Sequence, residues 1–321
     1  MKPHTRNLPL KVGTRGSPLA RQQTATFLAL IRAICPVMGR GEMFEEHIIT
    51  TTGDAVQNRP LAEIGGKGLF AKEIHDALGE GRIDFAVHSL KDLETVLPEG
   101  IVLACTLKRE DARDVLILPP GRGAADPADP YGALPYGAKV GSASVRRQSQ
   151  MKYARPDLEF TLLRGNVGTR LNTVEAGELD ATLLANAGLR RLGLTPQSCV
   201  VLTPEQMVPA ACQGIVGITV RTADTDLWEL LAAIEDPDAR AVSTAERALL
   251  STLDGSCRTP IGGYARVLED GALHITGLVA RADGTFLLKR SLIGAAADAE
   301  RLGRELGASL KADSPADIFA P

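Results

Sequence analysis

The sequence predicts an α/β protein with two sheet-and-helix domains and a smaller α+β domain at its C-terminal end. Three observations carry this. The chain has 321 residues, more than the roughly 100 to 200 that one core usually serves. Short apolar runs alternate with helical apolar spacing up to about residue 92, and again over 139–185, which is the rhythm of a parallel sheet covered by helices. From Asp224 onward, two helical segments precede three strand candidates separated by Asp270-Gly271 and Asp283-Gly284, both hairpin signals.

Residues 11–15 read as a strand that ends in a turn at Gly16, after which Ser17 caps a helix and Pro18 takes its first position. Leu19, Phe27, Leu28, Ile31 and Ile34 give that helix its apolar face. An apolar segment at Ile48-Ile49 follows, then a helix carrying Phe70, Ile74, Ala77 and Leu78, then the strand 85–87. Polar residues stand where strands end: Arg15, Gly53-Asp54, and 88–92 with Lys91 and Asp92. In open α/β sheets, ligands bind outside those carboxyl ends. Residues 119–127 form a loop by their proline and glycine content. The second α/β stretch runs through a strand at 139–141, a helix from about Ser144, a strand at 158–163, a helix at 167–176 and a strand at 181–185. A further strand at 215–220 could by pattern belong to either sheet. Helices with Leu227, Leu230, Leu231 and Ile234, and from about Asp238 to Leu253, come next, with Gly255 ending the second. Strands at 263–268, 272–280 and 285–293 and a helical tail at 295–312 complete the chain.

Composition narrows the function classes. Hydrophobic residues make up 44% and charged residues 23%, as in soluble globular proteins. With 36 Lys and Arg against 39 Asp and Glu, the chain is not built to coat nucleic acid, and any cationic site is local. Sparse aromatics, 4% of residues, also speak against stacking on RNA bases. No apolar run reaches the roughly 18 residues of a membrane span, and MKPHTRNLPL lacks the apolar core of an export signal; a cytoplasmic protein without membrane contact is expected. Cys35, Cys105, Cys199, Cys212 and Cys257 are odd in number, with no C-x-x-C pair and no histidine at ligand spacing. Neither a disulfide framework nor a metal site is expected.

Three features invite chemistry. Over 139–170, seven cations (Lys139, Arg146, Arg147, Lys152, Arg155, Arg164 and Arg170) stand against Asp157 and Glu159. Most arginine clusters are solvated faces, but Arg146-Arg147 and the pair Arg164 and Arg170 fall at strand-to-helix turns, where free N–H groups and the helix dipole also favour an anion. Asp92 follows a buried strand beside Lys91; a lone loop aspartate usually caps a helix or meets water, yet an ionised one can hold N–H donors and stabilise a cation. Cys257 lies in LDGSCRTPIGG, among glycine, serine and arginine. Most free cysteines are buried packing residues, as the other four are read, whereas Arg258 would favour a nucleophilic thiolate at Cys257. GGKG at 65–68 lacks phosphate-loop spacing, with Leu69 where Ser or Thr would stand, and implies no nucleotide.

Eight stretches occur in one order: TRGSPLA (14–20), GD then PLAEIGGKGLFAKE (53–73), AVHSLKD (86–92), REDARDVLI (109–117), GSASVRRQ (141–148), LRGNVGTRL (163–171), QGIVGI (213–218) and AERALLSTLDGSCRTPIGGYA (245–265). Together they resemble the porphobilinogen deaminase (hydroxymethylbilane synthase) family over nearly the whole chain. The resemblance implies two periplasmic-binding-protein-like α/β domains around a cleft plus a small C-terminal α+β domain. It sets domain 1 at 7–112 and 214–232, domain 2 at 113–213 and domain 3 at 233–321. It implies a monomeric transferase that deaminates porphobilinogen and joins four molecules head to tail on a dipyrromethane cofactor, which Cys257 would carry as a thioether. Asp92 matches the catalytic aspartate. Lys91, Ser144, Arg146 and Arg147 match cofactor-binding positions; Arg15, Ser17, Arg164, Arg170, Arg191 and Gln213 match substrate-binding ones; Lys67 and Phe70 belong to a mobile active-site loop.

Four residues depart from the family's pattern. Glu94 stands where proline is common, Glu63 where a basic residue is, Ala143 where a hydroxyl is, and Cys212 where a glycine precedes Gln213. The rival reading is a two-domain receptor whose arginines clamp a carboxylated small molecule without chemistry. The third domain and the missing export signal count against it.

Overall fold

The computed structural model describes residues 8–35, 43–56, 68–122, 125–254 and 259–319. These residues divide into two compact units, one of residues 8–56, 68–109 and Ile215–Arg240, the other of Glu110–Gly214 and 241–319. Lys67, Glu63, Cys257 and Arg258 lie outside the described residues.

The first unit holds a five-stranded sheet. Its strands are β1 (Leu10–Thr14), β2 (Phe44–Ile48), β3 (Phe85–Ser89), β4 (Ile101–Thr106) and β10 (Val216–Arg221), in the order β2-β1-β3-β10-β4. The first three are parallel, and β10 runs antiparallel to both its neighbours. Helix α1 (Pro18–Ile34) covers one face because Phe27, Leu28 and Ile31 recur at helical spacing and bury against Leu10, Val12 and Phe85. The rings of Phe27 and Phe85 meet edge to face at 5.5 Å. Helix α3 (Lys72–Gly79) covers the other face with Ile74, Ala77 and Leu78 against Ile83 and Ala86. A short helix α2 (Thr52–Ala55) follows β2, and α7 (Thr225–Ala232) follows β10.

In the second unit, β5 (Asp114–Ile117), β6 (Lys139–Gly141), β7 (Glu159–Thr161), β8 (Ala181–Ala185) and β9 (Cys199–Val201) repeat that plan in the order β7-β6-β8-β5-β9. Again three strands are parallel, and the fourth position, β5, is antiparallel to its neighbours. Helices α4 (Val145–Ala154), α5 (Val167–Glu175) and α6 (Asn186–Arg191) follow β6, β7 and β8. Both units are therefore open α/β sheets built on one strand plan. The same unit carries an antiparallel meander of β11 (Ile261–Val267), β12 (Ala272–Ala280) and β13 (Leu287–Ala295), backed by α9 (Ala299–Ala312). Helix α8 (Pro237–Thr252) packs on α9 through Gly303, where an added Cβ would meet the carbonyl oxygen of Ala245.

The expected elements are present among the described residues with ends moved by a few residues, and the strand that pattern left open to either sheet pairs in the first. Phe70 precedes α3 rather than lying within it: Gly68 sits at φ +78°, and its carbonyl accepts from Ala71 and Lys72 in a turn before the helix begins. β4, β5 and β9 were not singled out from the pattern.

Candidate active site

In the first unit, four segments bring their side chains together. Arg15 follows β1, Thr51 and Asp54 flank the start of α2, Phe70 lies on the turn before α3, and Asp92 ends a single 3₁₀ turn, Leu90–Asp92, after β3. Leu90 and Leu93 are buried on either side of Lys91 and Asp92, so apolar anchors fix the backbone of a turn whose polar residues face out. Asp54 takes Arg15 in a two-point fork, Nε to Oδ2 at 3.0 Å and Nη2 to Oδ1 at 2.5 Å, and also accepts from the Thr51 hydroxyl at 2.8 Å. The third nitrogen, Arg15 Nη1, reaches Asp92 Oδ2 at 3.4 Å. The Phe70 ring lies 4.3 Å from the guanidinium carbon, a cation–π contact.

Burial works against the charge on Arg15, but the Asp54 hydrogen bond and the charges of Asp92 and Asp54 outweigh it and hold its pKa above the usual arginine value. Burial likewise opposes the Asp54 anion, and hydrogen bonds from Arg15 and Thr51 overcome it, leaving that carboxyl below the usual range. The two carboxylates are therefore unequal. Asp54 has both oxygens committed, whereas Asp92, 27% exposed at its side chain, meets Arg15 at one oxygen only among the described residues. Asp92 keeps acceptor capacity for an incoming N–H donor. Ser17 is the N-cap of α1, accepting from Ala20 N at 3.3 Å, and Lys91 is exposed.

The second unit gathers cations around one acid. Asp114, at the start of β5, is fully buried between Arg146 (Nη1 at 2.8 Å) and Arg147 (Nη2 at 2.7 Å). Burial would raise its carboxyl, but the two arginine charges and the hydrogen bonds of Arg146 and Gln213 drive it far below the usual range. Arg146 also donates to Val208 O and Arg147 to Leu183 O. Gln213, buried, donates to Ala112 O at 2.7 Å and to Asp114 at 3.0 Å. Two cations on one anion leave the pair with one net positive charge. Ser144 caps α4 by accepting from Arg147 N. Arg164 and Arg170 flank the turn before α5, half-buried, with Arg170 Nε on Gly165 O. Arg191, at the end of α6, donates to Gly214 O at 2.7 Å, and burial lowers its pKa against the opposing charge of Glu110.

One acid joins the Gln213 segment to the meander. Glu246 of α8 is fully buried and accepts backbone N–H groups from Cys212 at 2.5 Å and from Ala265 of β11 at 2.6 Å. Cys212 is itself at φ +63°, a conformation that costs a non-glycine residue roughly 1 kcal/mol. Cys105 is buried, and burial first, then the Glu235 charge, pushes its thiol up to about 12. Cys35 and Cys199 are half-exposed rather than core residues, and all four described cysteines are free.

Sequence reasoning gave no role to Asp54, Asp114, Glu246 or His75. Asp54 carried the same signal as Arg15, a polar residue at a strand end. Asp114 carried another: an acid opening an apolar run in a chain with an Arg-Arg pair needing a counter-ion.

A family model described as "Porphobilinogen deaminase, dipyromethane cofactor binding domain" matches residues 10–229, and one described as "Porphobilinogen deaminase, C-terminal domain" matches residues 240–312. The chain is 44% identical over 301 residues to a porphobilinogen deaminase of Syntrophobacter fumaroxidans, covering 94% of each chain. It is 46% identical over 303 residues to one from Nitrobacter winogradskyi, covering 94% of this chain and 92% of that one. A chloroplastic relative from Oryza sativa subsp. japonica is 44% identical over 313 residues, 97% of this chain and 85% of that one.

Proposed function

This chain belongs to the porphobilinogen deaminase family, an enzyme that deaminates porphobilinogen and joins it head to tail on a covalent dipyrromethane, and we propose how its residues divide that work. Asp92 is the catalytic carboxylate. The observation that carries this is the inequality of the two acids on Arg15: Asp54 is saturated, and Asp92 retains oxygen lone pairs at the end of a turn fixed by Leu90 and Leu93. Its anion accepts the pyrrole N–H and offsets the positive charge that develops as ammonia leaves. Arg15, held in orientation by Asp54 and Phe70, keeps that carboxylate in place and offers its remaining surface to a substrate carboxylate.

Dipyrromethane supplies the nucleophilic pyrrole carbon on which the chain grows, and Cys257 is proposed as its thioether anchor. Each pyrrole ring brings an acetate and a propionate, so the cofactor and the growing product need fixed cations. The donor set fits: Arg146 and Arg147 keep one net positive charge after Asp114, beside the N–H groups of the first turn of α4, and Arg164 and Arg170 flank the next strand-to-helix turn. Lys91 and Ser144 are assigned with them to the cofactor, and Ser17, Arg191 and Gln213 with Arg15 to substrate. Lys67 and Phe70 are assigned to a moving loop. The three domains are proposed at the bounds given from the sequence, working as a cytoplasmic monomer without nucleic acid or membrane partners.

Intact-protein mass spectrometry combined with turnover tests these roles. The wild-type chain is expected to carry the mass of two linked pyrroles, and Cys257→Ala to lack it. Asp92→Ala is expected to stay folded and to lose porphobilinogen turnover by about 10²-fold or more. An unmodified wild-type chain would remove the role given to Cys257, and near-normal turnover by Asp92→Ala would remove that given to Asp92.

A further inference from the structure

Beneath the Asp92 turn lies a buried polar group that the reaction as described does not use. His75, on α3, is 3% exposed, and neither ring nitrogen makes a hydrogen bond to a described residue. Its ring is 5.5 Å from that of His88 on β3, which is engaged by Thr219 of β10 through Nε2 at 2.9 Å. On its other side stands Glu94, two residues beyond Asp92, with its side chain only 12% exposed and Oε2 3.9 Å from His75 Nδ1. That separation is too long for a hydrogen bond and short enough for a strong charge interaction. Glu94 also lies against the backbone of Gly68, where an added Cβ would collide with its Oε1.

The segment 68–79 thus touches the neighbours of Asp92 twice. Phe70 lies over Arg15, which contacts Asp92, and Gly68 and His75 enclose Glu94. Among the described residues, the charged and titratable groups facing His75 are Glu94 from the turn, Asp76 from its own helix and His88 from β3, with Arg15 beyond His88. β10 adds the Thr219 hydroxyl. Burial keeps the His75 imidazole below its usual pKa, while Glu94 and then Asp76 pull it back up. Burial, then the charges of His75 and Arg15, keeps His88 well below, so His88 is the neutral partner.

We propose that His75 and Glu94 are a positioning pair for the catalytic turn: protonation of His75 closes its contact with Glu94 and ties the backbone that carries Asp92 to the segment that carries Phe70. Glu94 occupies a position where a proline would stiffen the turn without any such tie. The proposal rests on Asp92 being the catalytic carboxylate, and its test is read in two ways so that the two can fail separately.

The first readout is the imidazole titration of His75 by NMR, assigned by its loss in His75→Gln. Removing the neighbouring anion in Glu94→Gln is expected to lower the His75 pKa by roughly one unit. The second is kcat and KM for porphobilinogen against pH. The inflection at which kcat falls as pH rises and His75 loses its proton is expected to move to lower pH with the His75 titration in Glu94→Gln and to vanish in His75→Gln, with KM held within about twofold. A His75 titration unchanged by Glu94→Gln, or an inflection that stays put while the titration moves, overturns the proposal. The NMR titration is read on the folded protein without substrate, so a loss of the Asp92 assignment leaves the pair itself measurable. Should Glu94→Gln not fold, His75→Gln carries the same test, and an unmoved inflection there is equally decisive.

Discussion

At the scale of single residues, the arginines legible in the sequence do not stand free. Arg146 and Arg147 were read as an anion site from their position before a helix, and that position is real, with Ser144 capping α4. What the local sequence could not reveal is Asp114, more than thirty residues away, which neutralises half of their charge from within the core. Pairing at that distance is a product of the fold, not of spacing. Asp114→Asn would leave two buried guanidinium groups sharing no anion, and an expected loss of about 3–5 kcal/mol of stability follows. Urea unfolding measures it, and a loss below about 1 kcal/mol would mean that water reaches the pair.

Elements were more legible than their partners. Ser17 and Pro18 mark the start of α1, and β6, β8 and β12 have the bounds that pattern suggested. The missed strands have a physical reason: β5 and β9 hold four and three residues, too few for a period to emerge, and β4 has no clean alternation, with Val102 and Leu103 half-buried between the buried Ile101 and a buried run from Ala104 to Thr106. Helix packing was also hidden, because α8 and α9 read alike as amphipathic segments, and only contact reveals that Gly303 sets their approach. Gly303→Ala would drive a methyl group into the Ala245 carbonyl. Overpacking of this kind costs about 1–3 kcal/mol, set against a gain of up to about 1 kcal/mol in helix propensity. A net fall in thermal midpoint is expected from calorimetry, and a rise would show that the helices separate at no cost.

For the whole molecule, alternation of strand and helix gave the fold class, while the membership of β10 lay outside its reach. A strand buried on both faces carries no mark of the sheet it joins, and β10 pairs with β3 and β4 more than a hundred residues earlier. Acid stability also belongs to this scale. His75 and His88 are held below the ordinary histidine value, chiefly by burial, so below about pH 6.5 the unfolded chain binds protons that the fold refuses. Stability is full above that pH and falls as pH drops through it. A second loss comes lower, as pH falls below about 3.9 toward the depressed carboxyls, Asp111 at about 2 among them. Melting curves from pH 8 to 3 should show both windows, and His88→Asn should flatten the first alone; parallel wild-type and variant curves would rule His88 out as its source. Glu246 has a different bearing, on which positions in this chain are free to drift. It grips Cys212 and Ala265 by their amide N–H groups, which every residue but proline possesses. Selection through that contact therefore acts on the acid and not on the letters it holds, which is how a cysteine can occupy a left-handed position that would suit glycine while Gln213 keeps its bonds beside it.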